Sequence, residues 1–138
     1  MAQTPQQQPD YLVGRGEIER IQNYGEAELD QLPFGAIRLD REGKILSFNQ
    51  AEVDLSGRKK ENVIGKSFFT DVAPCTNVQE FAGKFREGVQ AGKLHTMFPY
   101  VFDYKMDPRK VWVTLFYSNE TDSAWVFVRD DRKLSRPE

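Results

Sequence analysis

The sequence predicts one α+β domain with an antiparallel sheet of about five strands, helices on one face and a small helical cap on the other. Strand-like segments cluster at both ends of the chain, with helical segments between them, which is typical of an antiparallel sheet. The last strands carry apolar residues at both parities, so both faces of the sheet are expected to be covered. The length of 138 residues suits a single domain.

Composition and charge exclude several classes of protein. Lys and Arg total 19 against 21 Asp and Glu, so the chain lacks the basic surplus that nucleic-acid binding requires. No stretch approaches the roughly 18 apolar residues of a transmembrane helix, and the N-terminus has no secretory signal. One Cys excludes an internal disulfide framework, and one His leaves little for a metal site. We therefore expect a cytoplasmic protein with no nucleic-acid or membrane partner.

The first 28 residues are expected to form a polar tail and the helical cap. The Gln- and Pro-rich residues 1–15 predict a tail without packed structure. Residues 16–32 hold two short helical patterns, separated by Gly25, in each of which two apolar residues lie three positions apart. These short helices are expected to dock on the core.

The core is predicted over residues 29–130, and it begins with a β-hairpin. Strands at 33–40 and 44–48 flank a turn that ends in Gly43. Asn49 is a good N-cap for a short helix that Gly57 ends. Another helical turn follows at residues 59–64, stopped by Gly65.

The second half of the core is predicted as a loop, one longer helix and three strands. Residues 66–77 show no clear period and are predicted as a loop. Residues 79–91 place Phe81, Phe85 and Val89 on one helix face. Alternating and β-rich segments then predict strands at 94–105, 110–118 and 123–129, and a polar tail at 131–138.

The only cysteine, Cys75, lies in the loop over residues 66–77. Pro74 fixes its own φ and pushes Ala73 toward an extended conformation, so the thiol is held in one direction. For a single cysteine, a small buried apolar side chain is the ordinary interpretation. A nucleophilic pair with His95 is a second interpretation, although no third residue to orient the imidazole is evident.

Glu52 is a candidate for a buried carboxylic acid. On the predicted short helix it shares a face with Phe48 and Leu55, which should point inward, and with Ser56. Burial favours the neutral form of a Glu and raises its pKa by several units. The ordinary alternative is a solvated Glu on the helix surface, and Arg58 is by default a surface charge as well.

An aromatic stripe follows one parity of the strand at 94–105. It consists of Phe98, Tyr100, Phe102, Tyr104 and Met106. Such a stripe is more often plain core than the wall of a cofactor pocket, and both interpretations stay open on the pattern alone.

One set of residues before the cysteine forms a recognisable pattern. It consists of Phe34-Gly35-Ala36-Ile37, Asp40, Gly43, Ile45, Asn49, Ala51, Ser56-Gly57-Arg58 and Val63-Ile64-Gly65-Lys66. This pattern resembles the first half of a PAS domain, a fold of small-molecule and partner sensing.

A second and sharper pattern runs through the cysteine loop, the helix and the last strands. It consists of Ile64-Gly65-Lys66-x-Phe68-Phe69-x-Asp71-Val72-Ala73-Pro74-Cys75-Thr76, Phe81-x-Gly83-Lys84-Phe85-x-Glu87-Gly88-Val89, Thr96-Met97-Phe98-x-Tyr100-x-Phe102-Asp103-Tyr104-x-Met106 and Trp125-Val126-Phe127-Val128. This pattern resembles the photoactive yellow protein family, over about residues 29 to 129. The fold implied is the PAS fold.

The resemblance implies a blue-light receptor without enzymatic activity. The chromophore implied is p-coumaric acid (4-hydroxycinnamic acid), bound as a thioester to Cys75. Light would isomerise it from trans to cis, Glu52 would pass its proton to the phenolate, and partial unfolding would be the signal. Ser56 would belong to the same hydrogen-bond network, and Arg58 would shield the pocket from solvent. The other pocket positions implied are Phe48, Phe68, Phe102, Tyr104, Met106, Ile37, Val72 and Ala73.

Phe48 departs from the family pattern, which usually has a Tyr at this position as a second donor to the phenolate. A simple phenol has a pKa of about 10, so ionisation at pH 7 needs roughly 4 kcal/mol of stabilisation. One hydrogen bond to a charged group supplies about 1.5–3 kcal/mol. Glu52 alone is therefore marginal, even though thioester conjugation acidifies the phenol, and Ser56 is a possible substitute donor. We expect a mixed or shifted dark spectrum that responds to mild acid.

Three other interpretations compete with the light receptor. They are a PAS sensor with a non-covalent ligand, a pure protein-interaction module in which Cys75 is core packing, and a thiol enzyme. The sequence has no kinase, cyclase or DNA-binding segment, so any output would need a downstream partner protein whose identity is unknown. We expect a monomer or a weak dimer.

Overall fold

The computed structural model describes residues 13–102 and 109–130. The α-helices in these ranges are α1 (Arg15–Ile21), α2 (Glu26–Leu29), α3 (Gln50–Ser56) and α4 (Lys84–Ala91). The strands are β1 (Gly35–Leu39), β2 (Ile45–Phe48), β3 (Lys93–Phe102), β4 (Arg109–Ser118) and β5 (Ser123–Asp130). Tight turns of the 3-10 or π type lie between α3 and α4, at Lys60–Asn62, Phe68–Val72, Pro74–Thr76 and Gln79–Gly83.

The five strands form one antiparallel sheet in the order β2-β1-β5-β4-β3. Every pairing between neighbouring strands is antiparallel. Ile37 in β1 lies opposite Phe48 in β2 and opposite Val126 in β5, so β1 joins the first hairpin to the C-terminal strands. This architecture confirms the predicted α+β class and its antiparallel sheet.

The inner face of the sheet packs against α4 and the tight turns. Alternate residues of the central strands, such as Val113 in β4 and Val126 in β5, are fully buried on this face. They contact a cluster of phenylalanines from the turns and from α4: Phe68, Phe69, Phe81 and Phe85. This is the larger of the two core clusters, and it surrounds the candidate site.

The outer face of the sheet is covered by α1 and α2, as predicted. Ile18, Ile21 and Leu29 from the cap are buried against side chains of the opposite parity in the last strands, namely Phe116, Trp125 and Phe127. Val13 is also fully buried in this cluster, and α1 begins at Arg15. The tail predicted over residues 1–15 therefore extended too far, because Val13 lies before the first helix and outside any periodic pattern.

The connection between α3 and α4 differs from the prediction. The predicted helix at 79–91 is a π turn over Gln79–Gly83 followed by α4. The predicted loop at 66–77 contains a second π turn, Phe68–Val72, in which the Val72 amide donates to the Ser67 carbonyl at 3.1 Å. In a π turn the hydrogen bonds join residues that are five apart, so the turn does not have the 3.6-residue period on which the prediction depended.

Candidate functional site

Helix α3 places Glu52 and Ser56 on one buried face. The side chain of Asn49 accepts a hydrogen bond from the Glu52 amide at 3.1 Å and so caps the start of the helix. Gly57 ends it in the left-handed conformation, with φ of 77°. Because residues four apart lie on the same face, Glu52 and Ser56 both point inward and are 3% and 7% exposed.

The side chain of Glu52 lies directly over Gly35 in β1. A Cβ atom at Gly35 would overlap the carboxyl oxygen Oε1 of Glu52 and would lie 3.2 Å from its Cδ. The absence of a side chain at Gly35 therefore gives the carboxyl group its place between α3 and the sheet. Of the two interpretations of Glu52 that the sequence left open, the structure supports the buried carboxyl group over the solvated one.

The hydroxyl group of Ser56 is engaged with the backbone. It donates to the Glu52 carbonyl at 2.7 Å and accepts from the Arg58 amide at 3.2 Å. In this rotamer the hydroxyl proton of Ser56 is not directed at the cavity. The Ser56 side chain must therefore rotate before it can act as a substitute donor. Arg58 follows the helix and is exposed.

The cysteine stands on a short 3-10 turn, Pro74–Thr76, that is held by its own backbone. The amide and the hydroxyl group of Thr76 both donate to the Ala73 carbonyl, at 2.9 and 2.7 Å. Cys75 is half-buried and carries a free thiol. Its carbonyl accepts a hydrogen bond of 2.6 Å from the hydroxyl group of Tyr100 in β3.

These elements enclose a cavity of about 170 Å³. Residues from β2, α3, the turns and β3 converge on it: Phe48, Glu52, Ser56, Arg58, Phe68, Val72, Ala73, Pro74, Cys75 and Phe102. The arrangement combines one nucleophilic sulfur, one buried carboxyl group and aromatic walls. Such a cavity suits a small aromatic molecule attached through sulfur, with an oxygen that hydrogen-bonds to the carboxyl group.

The structure brings together most, but not all, of the residues predicted for the site. Nine of the twelve line the cavity, all of them in the set just named. Ile37 is fully buried in the surrounding core and does not line it. Tyr104 and Met106 lie outside the described residues.

His95 is separated from Cys75 by the sheet. Successive residues of a strand point to opposite faces, and Tyr100, which contacts Cys75, has the opposite parity from His95. The His95 Nε2 atom lies 3.0 Å from the Val13 carbonyl, and its ring packs edge-on against Phe116 in the cap cluster. The nucleophilic Cys–His pair that sequence alone left open is therefore wrong.

Three residues near the site were not among the predicted site residues. Pro74 lines the cavity, Gly35 makes room for the carboxyl group of Glu52, and Tyr100 holds the Cys75 carbonyl. The aromatic stripe contained a signal for Tyr100, because a hydroxyl group among phenylalanines needs a partner when it is buried. No sequence signal indicated the contact at Gly35.

Comparison with known proteins shows which family has this fold and sequence. A family model described as the PAS fold matches residues 23–130. The photoactive yellow protein of Rhodothalassium salexigens is 51% identical over 117 residues, which cover 84% of this chain and 94% of that protein. The photoactive yellow protein of Halochromatium salexigens is 52% identical over the same length and the same shares. This chain belongs to the photoactive yellow protein family.

Solved structures agree with this membership in the photoactive yellow protein family. The photoactive yellow protein domain of the sensor histidine kinase Ppr from Rhodospirillum centenum superposes with a TM-score of 0.77 at 46% identity. The match covers 81% of this chain and 98% of that domain. A PAS domain of an HTR-like protein from Haloarcula marismortui shares the fold, with a TM-score of 0.58 at 20% identity. That match covers 83% of this chain and 97% of the other. The family is one of sensory photoreceptors rather than enzymes, and this chain is a photoreceptor of that type.

Proposed function

We propose that this protein is a blue-light receptor that carries p-coumaric acid as a thioester on Cys75. The observation that supports the proposal is the shared cavity, which Cys75 and the buried Glu52 both line. When bound, the p-coumaroyl group supplies the absorption of blue light and the trans-to-cis isomerisation.

The side chains that line the cavity fit a p-coumaroyl group. Phe48, Phe68 and Phe102 provide aromatic surface for a phenol ring, and the half-buried thiol is available for acylation. Glu52 provides a buried hydrogen-bond donor when it is protonated, which burial favours. The position of Arg58 on the cavity lining, with an exposed side chain, supports a role as a cover against solvent.

Glu52 is the proposed proton donor of the light reaction. Its carboxyl group holds a proton in the dark and releases it within the cavity after illumination. The carboxylate left behind is 3% exposed and lies among aromatic side chains, so its charge is poorly solvated. This unfavourable charge drives a local rearrangement that hydrates the carboxylate.

Asn49 gives the rearrangement a route to the N-terminal cap. Its side-chain oxygen accepts from the amides of Glu52 and Ala36, and its side-chain nitrogen donates to the carbonyls of Leu29 and Phe34. A displacement at the start of α3 therefore strains the bond to Leu29, the last residue of α2. We propose that loosening of α1 and α2 is the signal.

The signal needs a receiver, and we propose a separate signalling protein. The photoactive yellow protein domain of Ppr belongs to a sensor histidine kinase, which shows that a domain of this type works within a signalling protein. None of the helices in the described part of the chain is long and apolar enough to cross a bilayer. The free thiol that attachment requires suits a reducing compartment, so we propose the cytoplasm as its location.

Mass spectrometry after reconstitution tests the attachment. The protein is incubated with p-coumaric anhydride, whose acyl group replaces the thiol proton of Cys75 while p-coumaric acid leaves. We expect the mass to rise by one p-coumaroyl group, localised to the peptide with Cys75, and the absorbance of that group, shifted to the neutral phenol, to stay with the denatured protein after small molecules are removed. Cys75→Ser is the control and should stay colourless. A pigment lost on denaturation would instead indicate a non-covalent ligand, and no pigment at all would indicate an interaction module.

A further inference from the structure

Tyr100 connects strand β3 to the turn that carries the cysteine. Its hydroxyl group donates to the carbonyl oxygen of Cys75 at 2.6 Å, across 25 residues of sequence. The other carbonyls of the turn are engaged locally: that of Ala73 accepts from the Thr76 amide, and that of Pro74 accepts from the Asn77 amide. The Cys75 carbonyl thus points away from its own turn and toward the sheet.

The ring of Tyr100 is held in place by the aromatic cluster around it. It packs edge-on against Phe81 with ring centroids 5.1 Å apart, and against Phe102 at 5.5 Å. Phe102 also lines the cavity. Burial, with the nearby Cys75 and Glu80, raises the pKa of the Tyr100 hydroxyl above its ordinary value of 10.0, so the group stays protonated and remains a donor at neutral pH.

We propose that Tyr100 is a positioning residue that fixes the Cys75 peptide group and thereby the direction of its sulfur into the cavity. The packed ring of Tyr100 fixes the position of the Cys75 carbonyl, while the hydrogen bonds within the Pro74–Thr76 turn keep the shape of the turn. The sulfur then stays in place when the bound group changes shape, so that the movement is directed to the Glu52 side of the cavity. This last consequence depends on the proposed function, whereas the positioning of the thiol does not.

The chain offers a closely matched control for this proposal. Tyr117 is buried, whereas Tyr100 is half-buried, and the Tyr117 hydroxyl group donates to a side-chain oxygen of Asp122 at 3.1 Å, away from the cavity. Tyr100→Phe and Tyr117→Phe therefore each remove one hydrogen-bonded hydroxyl group and keep the ring. A general loss of stability would affect both variants, and a loss of positioning would affect only the first.

The first measurement uses the chain without chromophore. Because the sequence has a single Cys, a ¹³C label in the cysteine carbonyl reports on one peptide group. Loss of a hydrogen bond raises the stretching frequency of a carbonyl group, so we expect an upward shift in Tyr100→Phe and none in Tyr117→Phe. We also expect the Cys75 thiol of Tyr100→Phe to react with a small maleimide about fivefold faster, the change that corresponds to one net hydrogen bond.

The results that would overturn the proposal are an unchanged carbonyl frequency in Tyr100→Phe, or equal thiol reaction rates in the two variants. Both readouts are independent of light, so failure of the positioning proposal is distinguishable from failure of the proposed photoreceptor chemistry. In the loaded protein, Tyr100→Phe should change the rate of dark recovery while the dark absorption maximum stays in place, because the hydrogen bond from Glu52 is untouched. A shifted maximum with an unchanged rate would contradict this division of roles.

Discussion

In the proposed receptor, Phe48 stands on the cavity wall in place of the family's Tyr, whose hydroxyl group would supply a second hydrogen bond to the phenolate. It is buried beside Glu52 and offers only its ring. Ser56 does not replace that donor in the structure, since its proton is directed to the Glu52 carbonyl. In the proposed receptor the anionic form of the bound phenol therefore depends on Glu52 alone, and it lacks the roughly 1.5–3 kcal/mol that a second hydrogen bond to a charged group would supply.

The expected consequence is a dark spectrum that changes within roughly pH 4 to 9. Phe48→Tyr adds a donor to the anion and so lowers the phenol pKa, by about one to two pH units. The midpoint of the spectral titration should move to lower pH in this variant. A single phenolate band in the original protein over the whole range, or an equal midpoint in Phe48→Tyr, would contradict the dependence on Glu52.

Gly35 offers a steric test of where the carboxyl group of Glu52 must lie. Gly35→Ala places a methyl group on the Oε1 atom of Glu52 and displaces the carboxyl group. With its donor displaced, the anion is less stable, and the spectral midpoint should move to higher pH. Gly16→Ala is the matched control, because a Cβ atom there meets nothing within 4 Å. Equal midpoints for the two variants would show that the carboxyl position is unimportant.

At the scale of the element, Lys60 ties the cap to the core. Its Nζ atom lies 2.8 Å from a carboxyl oxygen of Asp30, which directly follows α2, and 2.9 Å from one of Glu26, which begins it. Asp30 also accepts from the amide of Gln50 at the start of α3. Lys60 and Asp30 are 23% and 28% exposed at their side chains, whereas Glu26 is 76% exposed, so the pair with Asp30 is the less screened one.

Lys60→Gln should lower the free energy of unfolding by about 0.5–1 kcal/mol, measured by urea denaturation. Burial lowers the pKa of Lys60, but the hydrogen bonds and charges of Asp30 and Glu26 outweigh it, so the net pKa lies above 10.5. Because the pKa is raised in the folded state, this stabilisation is present below pH 10.5 and is lost as the pH rises through the folded value. Arg15→Gln, which breaks an exposed pair with Glu19, is the control and should have almost no effect. A difference that persists at about 1 M salt would argue against an ionic tie.

The elements differ in how far the sequence could predict them. Asn49 and Gly57 bound α3 as predicted, because capping chemistry is local. Phe81 and Phe85 are buried as their spacing indicated, yet a π turn interrupts the helix between Gln79 and Gly83. The rotamer of Ser56 and the contact of Glu52 with Gly35 depend on packing between distant segments, which no local pattern encodes. The family pattern supplied Cys75 and Glu52 as partners, and the fold was needed to show that both line one cavity.

At the scale of the whole molecule, the sheet separates two packed layers with different tasks. The inner layer holds the cavity, and the outer layer is the cap of α1 and α2, helices of seven and four residues. Helices this short have little stability of their own and depend on docking. Asn49 links the two layers through its bonds to Glu52 and Leu29. The cap is therefore the part expected to loosen when Glu52 becomes charged.

Hydrogen exchange under illumination tests this expectation for the loaded protein. Amides of residues 15–29 should exchange faster in blue light than in the dark, while those of the central strands β4 and β5 keep their protection. Cys75→Ala, treated in the same way, controls for heating by the lamp and should show no difference. Equal protection of the cap in light and dark would contradict the proposed signal without touching the pigment chemistry.

The absorption of the reconstituted protein before, during and after a blue-light pulse tests the central claim most directly. A pigment linked to Cys75 and held as an anion by Glu52 should bleach in the light and recover fully in the dark. Glu52→Gln, which keeps the shape of the side chain and removes its acidic proton, should still bind the pigment but show altered bleaching and recovery. A coloured protein whose spectrum is unchanged by blue light, or one that bleaches equally with Cys75 replaced, would contradict the account.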